Sequence, residues 1–226
     1  MKRSEINAIL RENVELCRKY SFNLPPWAFW SPEQWAMAGH EWDEIRDCKL
    51  GWDITDYGSG KFDEMGLLLF TIRNGHPNLK QYTKPYCEKL LIVKEDQYTP
   101  CHFHWNKMED IICRAGGNLL VKVYNATEDE QLADTPVPVN VDGHAYEVPA
   151  GSVIRLTPGE SITLPAYNYH TFWAEAGTGT ALLGEVSKVN DDEHDNRFLE
   201  NQPRFSPIEE DEPALYLLCN EYPASS

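Results

Sequence analysis

Residue types that bind metal ions are concentrated in one short stretch near the middle of the chain. His102 and His104 are separated by a single residue, and Glu109 follows after a short gap. On a β-strand, residues i and i+2 point to the same face, so the two imidazoles are predicted to lie side by side. The gap lets the chain turn, so that Glu109 enters a neighbouring strand and its carboxylate reaches the same point. Divalent transition metals prefer this mixture of nitrogen and oxygen ligands.

A histidine pair by itself would indicate only a polar surface strand. The presence of Glu109, and of a fourth candidate ligand at the end of the stretch 158–170, makes a metal site the better interpretation. That fourth candidate is His170. Three histidines and one carboxylate would leave two open positions on an octahedral ion, which suit two adjacent oxygens of a substrate.

The elements that must position these residues are predicted to be short β-strands. Apolar runs alternate with turn residues from about residue 66 onward, and Gly116-Gly117 and Asp142-Gly143 have the composition of hairpin turns. Regular short strands with such turns indicate a β-sandwich or β-barrel. The predicted strands are 66–73, 87–93, 110–114, 118–124, 137–141, 144–148, 152–156, 161–164, 169–174, 180–188 and 214–219.

The first 50 residues are predicted to be a helical extension packed outside the barrel. Residues 5–20 have apolar positions at helical spacing, with Ser4 as a possible N-cap. Ser31 and Pro32 begin a second, shorter helix that is predicted to end near Gly39. We expect one domain over residues 1–226, with the barrel from about 52 to 226. The acidic segment 190–211 is predicted to be a long functional loop.

Composition narrows the range of partners. The chain has 226 residues and a formal charge of −16, which disfavours nucleic acid and anionic membranes as partners. Its six cysteines are scattered and include no C-x-x-C pair, as expected for free thiols of a cytoplasmic protein. Neither a signal peptide nor a membrane span is indicated. A small-molecule substrate is the expected partner.

The metal-binding stretch resembles the first sequence motif of the cupins, which are β-barrel proteins. His102, His104, Glu109 and Gly116 occupy the motif positions, while Asp96 stands where the motif begins with Gly. The resemblance implies a jelly-roll-like barrel whose metal is held by these two histidines and the glutamate.

The second cupin motif is also recognisable, with two departures. Gly159, Pro165 and His170 fit it, whereas Tyr167 replaces an inner Gly and Ala174 replaces an Asn. These departures affect turn geometry and leave the ligand unchanged. The resemblance therefore implies His170 as the fourth metal ligand.

Within the cupins, the chain is most similar to the bacterial D-lyxose ketol-isomerases. This resemblance implies interconversion of D-lyxose with D-xylulose and of D-mannose with D-fructose, usually with Mn²⁺; Zn²⁺, Fe²⁺ and Co²⁺ remain alternatives. The similar segments are 88–93, 99–100, 102–105, 107–112, 184–187 and 190–192.

A ketol-isomerase needs a base, an acid and a means of stabilising an enediolate. Glu185 is the candidate base, because it is the only carboxylate in the apolar run 181–186 and a carboxylate there needs a polar partner or cavity. An edge strand that exposes Glu185 to solvent is the alternative. Lys107 lies between two ligands and is a candidate acid on the strength of the resemblance. A direct hydride shift between the two carbons remains open as the route.

Four further residues are candidates for binding the sugar. Lys89 lies in an otherwise apolar strand, where snorkelling to the surface is the alternative. Phe172 shares a strand face with His170 and is suited either to stacking on a sugar or to the core. Asp191 and Arg197 lie in the long loop, which would close over the barrel mouth, although a plain charged loop has the same composition.

Two other functions and one assembly state are considered. The same ligands would suit a cupin oxygenase that uses Fe²⁺, and a sensory cupin would bind sugar without catalysis. The latter lacks support because no helix-turn-helix segment accompanies the barrel. A homodimer that residues 1–50 help to form is expected from their aromatic content and from family analogy.

Overall fold

The computed structural model describes residues 1–225 and begins with helices before continuing as strands. Its α-helices are α1 (Arg3–Lys19), α2 (Pro32–Ala36) and α3 (Asp43–Asp47), with 3₁₀ turns at Pro26–Phe29 and His40–Trp42. No helix among the described residues is both long enough and apolar enough to cross a membrane. The strands are β1 (Gly51–Thr55), β2 (Leu67–Arg73), β3 (Tyr86–Val93), β4 (His102–Phe103), β5 (Glu109–Gly116), β6 (Leu119–Asn125), β7 (Val137–Val141), β8 (His144–Val148), β9 (Val153–Leu156), β10 (Ser161–Leu164), β11 (Asn168–Ala174), β12 (Ala181–Lys188) and β13 (Arg197–Phe198).

The strands form two antiparallel sheets that face each other. The larger sheet has eight strands in the order β1-β2-β3-β12-β5-β10-β7-β8, and the smaller has five in the order β13-β4-β11-β6-β9. Side chains from both inner faces form the main core, which includes Leu91, Ile111, Val121 and Leu183. Burial of such side chains is the main stabilising contribution to a β-barrel of this kind. The predicted mainly-β, jelly-roll-like barrel is confirmed.

Helix α1 covers the outer face of the larger sheet. Ile6 and Leu10 on the helix pack with Phe70, Leu90 and Leu182 on the strands. This packing explains why β12 is buried on both faces over most of its length and does not show a clean alternation of polar and apolar residues. The predicted external helical extension is therefore confirmed.

The predicted N-cap of α1 is wrong. The cap is Lys2, whose backbone N–H donates to the Glu5 carboxylate at 2.8 Å, and Ser4 lies within the first turn. Ser4 instead donates to Asp211 in the C-terminal segment, so that a tertiary contact replaces the local cap. The second helix begins as predicted, because Ser31 accepts a hydrogen bond from the Gln34 backbone N–H, but it ends at Ala36.

Most predicted strands lie within a few residues of their observed positions. One exception is 214–219, where Leu218 makes only an isolated bridge to Trp52. Two observed strands, β1 and β13, were not predicted; in β1, Asp53 and Thr55 interrupt the apolar pattern although both are buried. The C-terminal segment therefore runs beside β1 without extending the sheet.

The segment that follows β12 passes over one end of the barrel. Its short strand β13 pairs with β4; further along, Arg204 contacts Asp53 within β1 and Ser206 contacts Asp56 just after it. The segment thus connects the first strand of the larger sheet with the strand that carries His102. The predicted long loop 190–211 includes this short strand.

Candidate metal centre and its cavity

The two sheets bring the predicted ligands together at one end of the barrel. His102 on β4 lies directly opposite His170 on β11 in the smaller sheet. Glu109 is the first residue of β5 in the larger sheet, so the chain crosses from one sheet to the other between His104 and Glu109. The sequence predicted a neighbouring strand for Glu109, and the structure places that strand in the facing sheet.

The four side chains converge on a common point. One ligand atom from each of His102, His104 and His170 lies within 4.8 Å of the other two. The Glu109 carboxylate oxygen Oε1 lies 3.1 Å from His170 Nε2 and 3.5 Å from His104 Nε2. The arrangement offers three nitrogens and one oxygen to one small volume.

The hydrogen bonds of the imidazoles fix which nitrogen faces that volume. Each Nδ1 lies close to a backbone carbonyl oxygen: His102 at 2.8 Å from Pro100, His104 at 2.6 Å from Asp195 and His170 at 3.0 Å from Asn168. A carbonyl can only accept a hydrogen bond, so each Nδ1 carries a proton and Nε2 is the nitrogen left to bind a metal ion.

The Nε2 lone pairs suit a cation. The Nε2 atom of His170 is buried and has no hydrogen-bond partner among the described residues. Burial, together with the neighbouring His170 and His104, lowers the pKa of His102 well below its usual value, so this imidazole is neutral. Three imidazole Nε2 atoms grouped around a carboxylate form a ligand set that holds a divalent metal ion, so the residues fit the metal that the cupin motifs imply.

A second set of charged groups lies beside the ligands. The Lys107 ammonium is 3% exposed and lies 2.7 Å from Glu109 and 2.9 Å from Glu185. Burial would lower the pKa of Lys107, but the charges of the two carboxylates outweigh burial and raise it. The charge of Lys107 likewise overcomes the effect of burial on Glu109 and holds the pKa of that carboxyl well below its usual range.

Glu185 faces the cavity because of the register of β12. It lies directly opposite Lys89 on β3 and Ile111 on β5, so these side chains share the inner face. Its Oε1 accepts hydrogen bonds from Lys107 at 2.9 Å and Ser187 at 3.2 Å. Across residues 1–225, no hydrogen bond reaches Oε2 of Glu185, so this oxygen is available for a ligand. The alternative of a solvent-exposed Glu185 is excluded by its 4% exposure.

The opposite wall of the cavity contains two charged residues that sequence reasoning missed, Arg204 and Asp192, and the buried Asp53 pairs with Arg204. Arg204 donates to Asp53 at 2.5 Å and to Asp192 at 3.4 Å, and its Nη1 is buried without a partner among the described residues. The two carboxylates raise the pKa of Arg204 against the effect of burial, and the charge of Arg204 lowers that of Asp192. An unpaired buried N–H of a cation that lines a cavity is suited to a hydroxyl ligand.

Two of the four predicted sugar-binding residues line this cavity. Lys89 and Phe172 do so together with the metal ligands. Lys89 is 3% exposed and donates to Asn190 at 2.8 Å, which excludes snorkelling. The structure places the other two elsewhere: Arg197 donates to Glu130, and Asp191 accepts hydrogen bonds from residues 193 and 194 of its own loop.

The two residues that stand at glycine positions of the cupin motifs both have a left-handed backbone conformation. Asp96 has φ of 56° and Tyr167 has φ of 59°, which is the left-handed region where glycine is favoured. Asp tolerates this region better than Tyr does. The Tyr167 ring packs on Phe103 with centroids 5.2 Å apart. Both positions therefore have a backbone conformation that favours glycine, although neither residue is a glycine.

Two facing antiparallel sheets with three histidines and one glutamate at the end of their interface define a cupin with a candidate metal centre. The D-lyxose isomerase family model matches residues 1–222. The chain is 52% identical to the D-lyxose/D-mannose isomerase of Escherichia coli O157:H7, over 98% of each chain. It is 50% identical to the enzyme of the same name from Serratia proteamaculans, again over 98% of each chain. The chain therefore belongs to the D-lyxose isomerase family and is a sugar isomerase.

Solved structures agree with this fold. The L-ribose isomerase of Cellulomonas parahominis superposes with a TM-score of 0.62 at 18% identity, over 92% of this chain and 98% of the other. The L-ribose isomerase of Acinetobacter sp. DL28 gives a TM-score of 0.61 at 16% identity, with the same coverage. At these identities the likeness concerns the fold.

Metal binding is expected to stabilise the protein against heat. A ligand present at 100 times its dissociation constant contributes about 2.7 kcal/mol, which corresponds to a rise in Tm of about 5–10 °C for a chain of this size. The measurement is calorimetry of chelator-treated protein with and without added Mn²⁺. Identical Tm values with and without the ion would contradict a metal site built from these ligands.

Proposed function

We propose that the protein is a metal-dependent aldose–ketose isomerase that acts on free sugars such as D-lyxose/D-xylulose and D-mannose/D-fructose. The proposal rests chiefly on the buried Glu185, whose Oε2 is free in the cavity formed by the metal ligands and Lys107. The names of the two relatives with about half of their residues identical support these substrates. Mn²⁺ is the proposed ion, with Zn²⁺, Fe²⁺ and Co²⁺ as alternatives.

The proposed reaction moves one proton between the first two carbons of the sugar. Glu185 removes the proton from C2 of the aldose and returns it to C1, while the proton of the C2 hydroxyl is transferred to O1. A bound divalent ion would supply Lewis-acid polarisation of the sugar carbonyl. Lys107, which lies 2.9 Å from Glu185, would exchange its hydrogen bond to Asn190 for one to O1 or O2 as negative charge develops there.

The charge balance of the cavity is suited to an enediolate. Lys89 and Lys107 offset Glu109 and Glu185, and all four side chains are buried. A divalent ion added to this neutral set gives the cavity a net positive charge. A positive, water-poor site stabilises an anionic intermediate more than it stabilises the neutral sugar, which is the condition for lowering the reaction barrier.

The remaining hydroxyls of the sugar are proposed to bind at the opposite wall. Arg204 offers its free Nη1, Asp192 offers a carboxylate and Phe172 offers an apolar face, and all three line the cavity. Hydroxyls can both donate to a carboxylate and accept from a guanidinium, so an open-chain polyol matches this wall.

Phosphorylated sugars are expected to be poor substrates. Arg204 is flanked by Asp53 and Asp192, and the two cavity lysines are occupied by carboxylates and by Asn190. A phosphate dianion at the far end of the sugar would lie next to the carboxylates of Asp53 and Asp192, which already balance the positive charge of Arg204, and this is strongly unfavourable.

The function is tested with a panel of free and phosphorylated sugars, using protein loaded with Mn²⁺. Ketose formation from D-lyxose and D-mannose, and weak or no activity on phosphorylated aldoses, is the expected result. Oxygen consumption on Fe²⁺ loading, without ketose formation, would instead support the oxygenase alternative. Sugar binding without turnover would support the non-catalytic alternative.

Arg204→Lys is expected to weaken sugar binding. Lysine keeps the positive charge between Asp53 and Asp192, but it cannot place a donor where Nη1 lies. Loss of one hydrogen bond from a charged donor, about 1.5–3 kcal/mol, predicts a rise in KM of about 10- to 100-fold. Steady-state kinetics with D-lyxose measures this, and metal content serves as the control. An unchanged KM would remove Arg204 from the sugar-binding wall.

We also propose a cytoplasmic homodimer. All six cysteines are free, which supports a reducing compartment. The extension of residues 1–50 leaves Phe29 and Met37 exposed at 37% and 74%, and a second copy is proposed to cover them. Light scattering is expected to give twice the chain mass of 25.9 kDa, and a monomer mass at micromolar concentration would contradict the dimer.

A further inference from the structure

Asp195 is a buried acidic residue that contacts the metal-binding stretch from outside the cavity. It lies in the segment 189–196 between β12 and β13 and is 6% exposed. Its Oδ1 accepts hydrogen bonds from the Asn106 backbone N–H at 2.9 Å and from the Asn106 side chain at 3.2 Å. Its Oδ2 accepts one from the Lys107 backbone N–H at 3.0 Å.

These hydrogen bonds hold the turn that carries the reactive residues. The turn runs from His104 to Glu109 and places two metal ligands and Lys107. A buried carboxylate that accepts several N–H bonds forms charge-assisted hydrogen bonds, which are stronger than neutral ones. The Asp195 carboxylate therefore fixes the backbone from which Lys107 reaches Glu185.

The backbone of Asp195 also contacts a metal ligand. Its carbonyl oxygen accepts the 2.6 Å hydrogen bond from His104 Nδ1. The other two ligand histidines use carbonyls two residues before themselves, Pro100 for His102 and Asn168 for His170. His104 thus differs from them, because its tautomer and ring orientation depend on a residue 91 positions away.

The segment that contains Asp195 also reaches the sugar side of the cavity. Asn190 accepts hydrogen bonds from Lys89 at 2.8 Å and from Lys107 at 3.2 Å. Asp192 and Asn196 line the cavity beside the metal ligands. One segment therefore contributes to the metal centre and to the proposed sugar-binding wall together.

We propose that Asp195 is a positioning residue that couples metal affinity to the docking of the segment 189–196. When the segment is docked, His104 presents Nε2 to the metal and Lys107 is held beside Glu185. When it is undocked, His104 loses its orienting carbonyl and the metal site is incomplete. The inference rests on the metal site of the proposed function, but it does not depend on the reaction that occurs there.

The test is titration of Mn²⁺ into chelator-treated full-length variants, with free Mn²⁺ followed by electron paramagnetic resonance. Asp195→Ala keeps the backbone carbonyl that His104 contacts but removes the carboxylate that holds the segment in place, so it is expected to raise the Mn²⁺ dissociation constant about 10- to 100-fold, the usual size when the support of a metal ligand is lost. Asp195→Asn keeps one acceptor oxygen and is expected to restore part of the affinity. Glu193→Ala, an exposed position in the same segment, is the control and is expected to bind Mn²⁺ like the wild type.

Two further measurements separate positioning from a general loss of structure. Hydrogen exchange in Asp195→Ala is expected to accelerate in residues 189–198 and to stay unchanged in β3 and β12. Nitrogen-15 NMR of the metal-free protein is expected to show His104 protonated on Nδ1 in the wild type and as a mixture of tautomers in Asp195→Ala.

The outcomes distinguish this inference from the proposed function. Equal Mn²⁺ affinity in the wild type and in Asp195→Ala would overturn the role of Asp195 and leave the metal site intact. An equal loss of affinity in Glu193→Ala would overturn it as well, because the effect would then belong to the segment in general. A wild-type protein that binds no Mn²⁺ would overturn the metal site itself.

Discussion

Glu185→Gln is expected to lower kcat by about 10²- to 10⁴-fold, which is the usual contribution of a general base. Glutamine keeps the shape of the side chain and can still accept the hydrogen bond from Lys107, but it cannot take up a proton. Metal content and the KM for D-lyxose are expected to stay near the wild-type values, because Glu185 is outside the set of metal ligands. Steady-state kinetics with metal analysis of the same sample measures both effects.

The control for this variant is Glu88→Gln. Glu88 lies on the neighbouring strand β3, and its carboxylate pairs with Arg73 on the outer surface. Its replacement is expected to leave kcat unchanged. Near-normal turnover in Glu185→Gln would remove Glu185 from the role of base and direct attention to Lys107 and Asp192, which face the same cavity.

Isomerisation in D₂O separates the two possible routes. A base that exchanges its proton with solvent would place deuterium at C1 of the ketose, whereas a hydride shift from C2 would keep the original hydrogen. The proposed role of Glu185 predicts deuterium at C1, which NMR of the product detects. Complete absence of solvent deuterium would favour the hydride shift.

His170→Ala is expected to abolish most metal binding and to reduce kcat/KM by about 10³-fold or more. The expected size follows from the several kcal/mol of transition-state stabilisation that a catalytic metal supplies. The Nε2 of His170 is buried 3.1 Å from the Glu109 carboxylate, so alanine removes one of the four ligands of the site. Elemental analysis after dialysis measures metal content, and circular dichroism shows whether the barrel folds.

His144→Ala is the matched control for that experiment. His144 is exposed at the start of β8, where its ring packs against Tyr146 and lies outside the cavity. The variant is expected to retain wild-type metal content and activity. Full metal occupancy in a folded His170→Ala protein would show that the ion is held elsewhere.

The convergence of the four candidate metal ligands could be predicted from the sequence because their signals are local. His102 and His104 are separated by one residue, and His170 follows the turn residues Gly159 and Pro165 at the motif spacing. The cavity-facing position of Glu185 could be predicted for a similar reason, since a carboxylate within an apolar strand needs a polar environment. Each of these signals lies within a short segment of the chain.

The opposite wall of the cavity could not be predicted in this way. Arg204 and Asp53 are 151 positions apart and meet only because the C-terminal segment passes beside β1. Arg204 lies in a segment whose composition is that of an ordinary charged loop. Asp53 did carry a signal, because it lies between Trp52 and Ile54, but the strand that contains it was not predicted.

The loop residues show why composition alone does not indicate which side chains face the cavity. Asp191 and Arg197 were predicted to face the sugar because they are charged residues of a closing loop. In the structure, Arg197 donates a hydrogen bond to Glu130. Asp192, the residue after Asp191, lines the cavity instead. Within an irregular segment no periodicity indicates which side chains point inward. The sequence therefore cannot show which of two neighbouring charged residues faces the cavity.

The central claim is that this cavity isomerises a free sugar with the help of a metal ion. The most direct test follows D-lyxose by NMR with chelator-treated protein, before and after Mn²⁺ is restored. We predict no turnover in the metal-free sample and formation of D-xylulose once the ion is present. Equal rates in the two samples, or no ketose in the loaded sample, would contradict the claim.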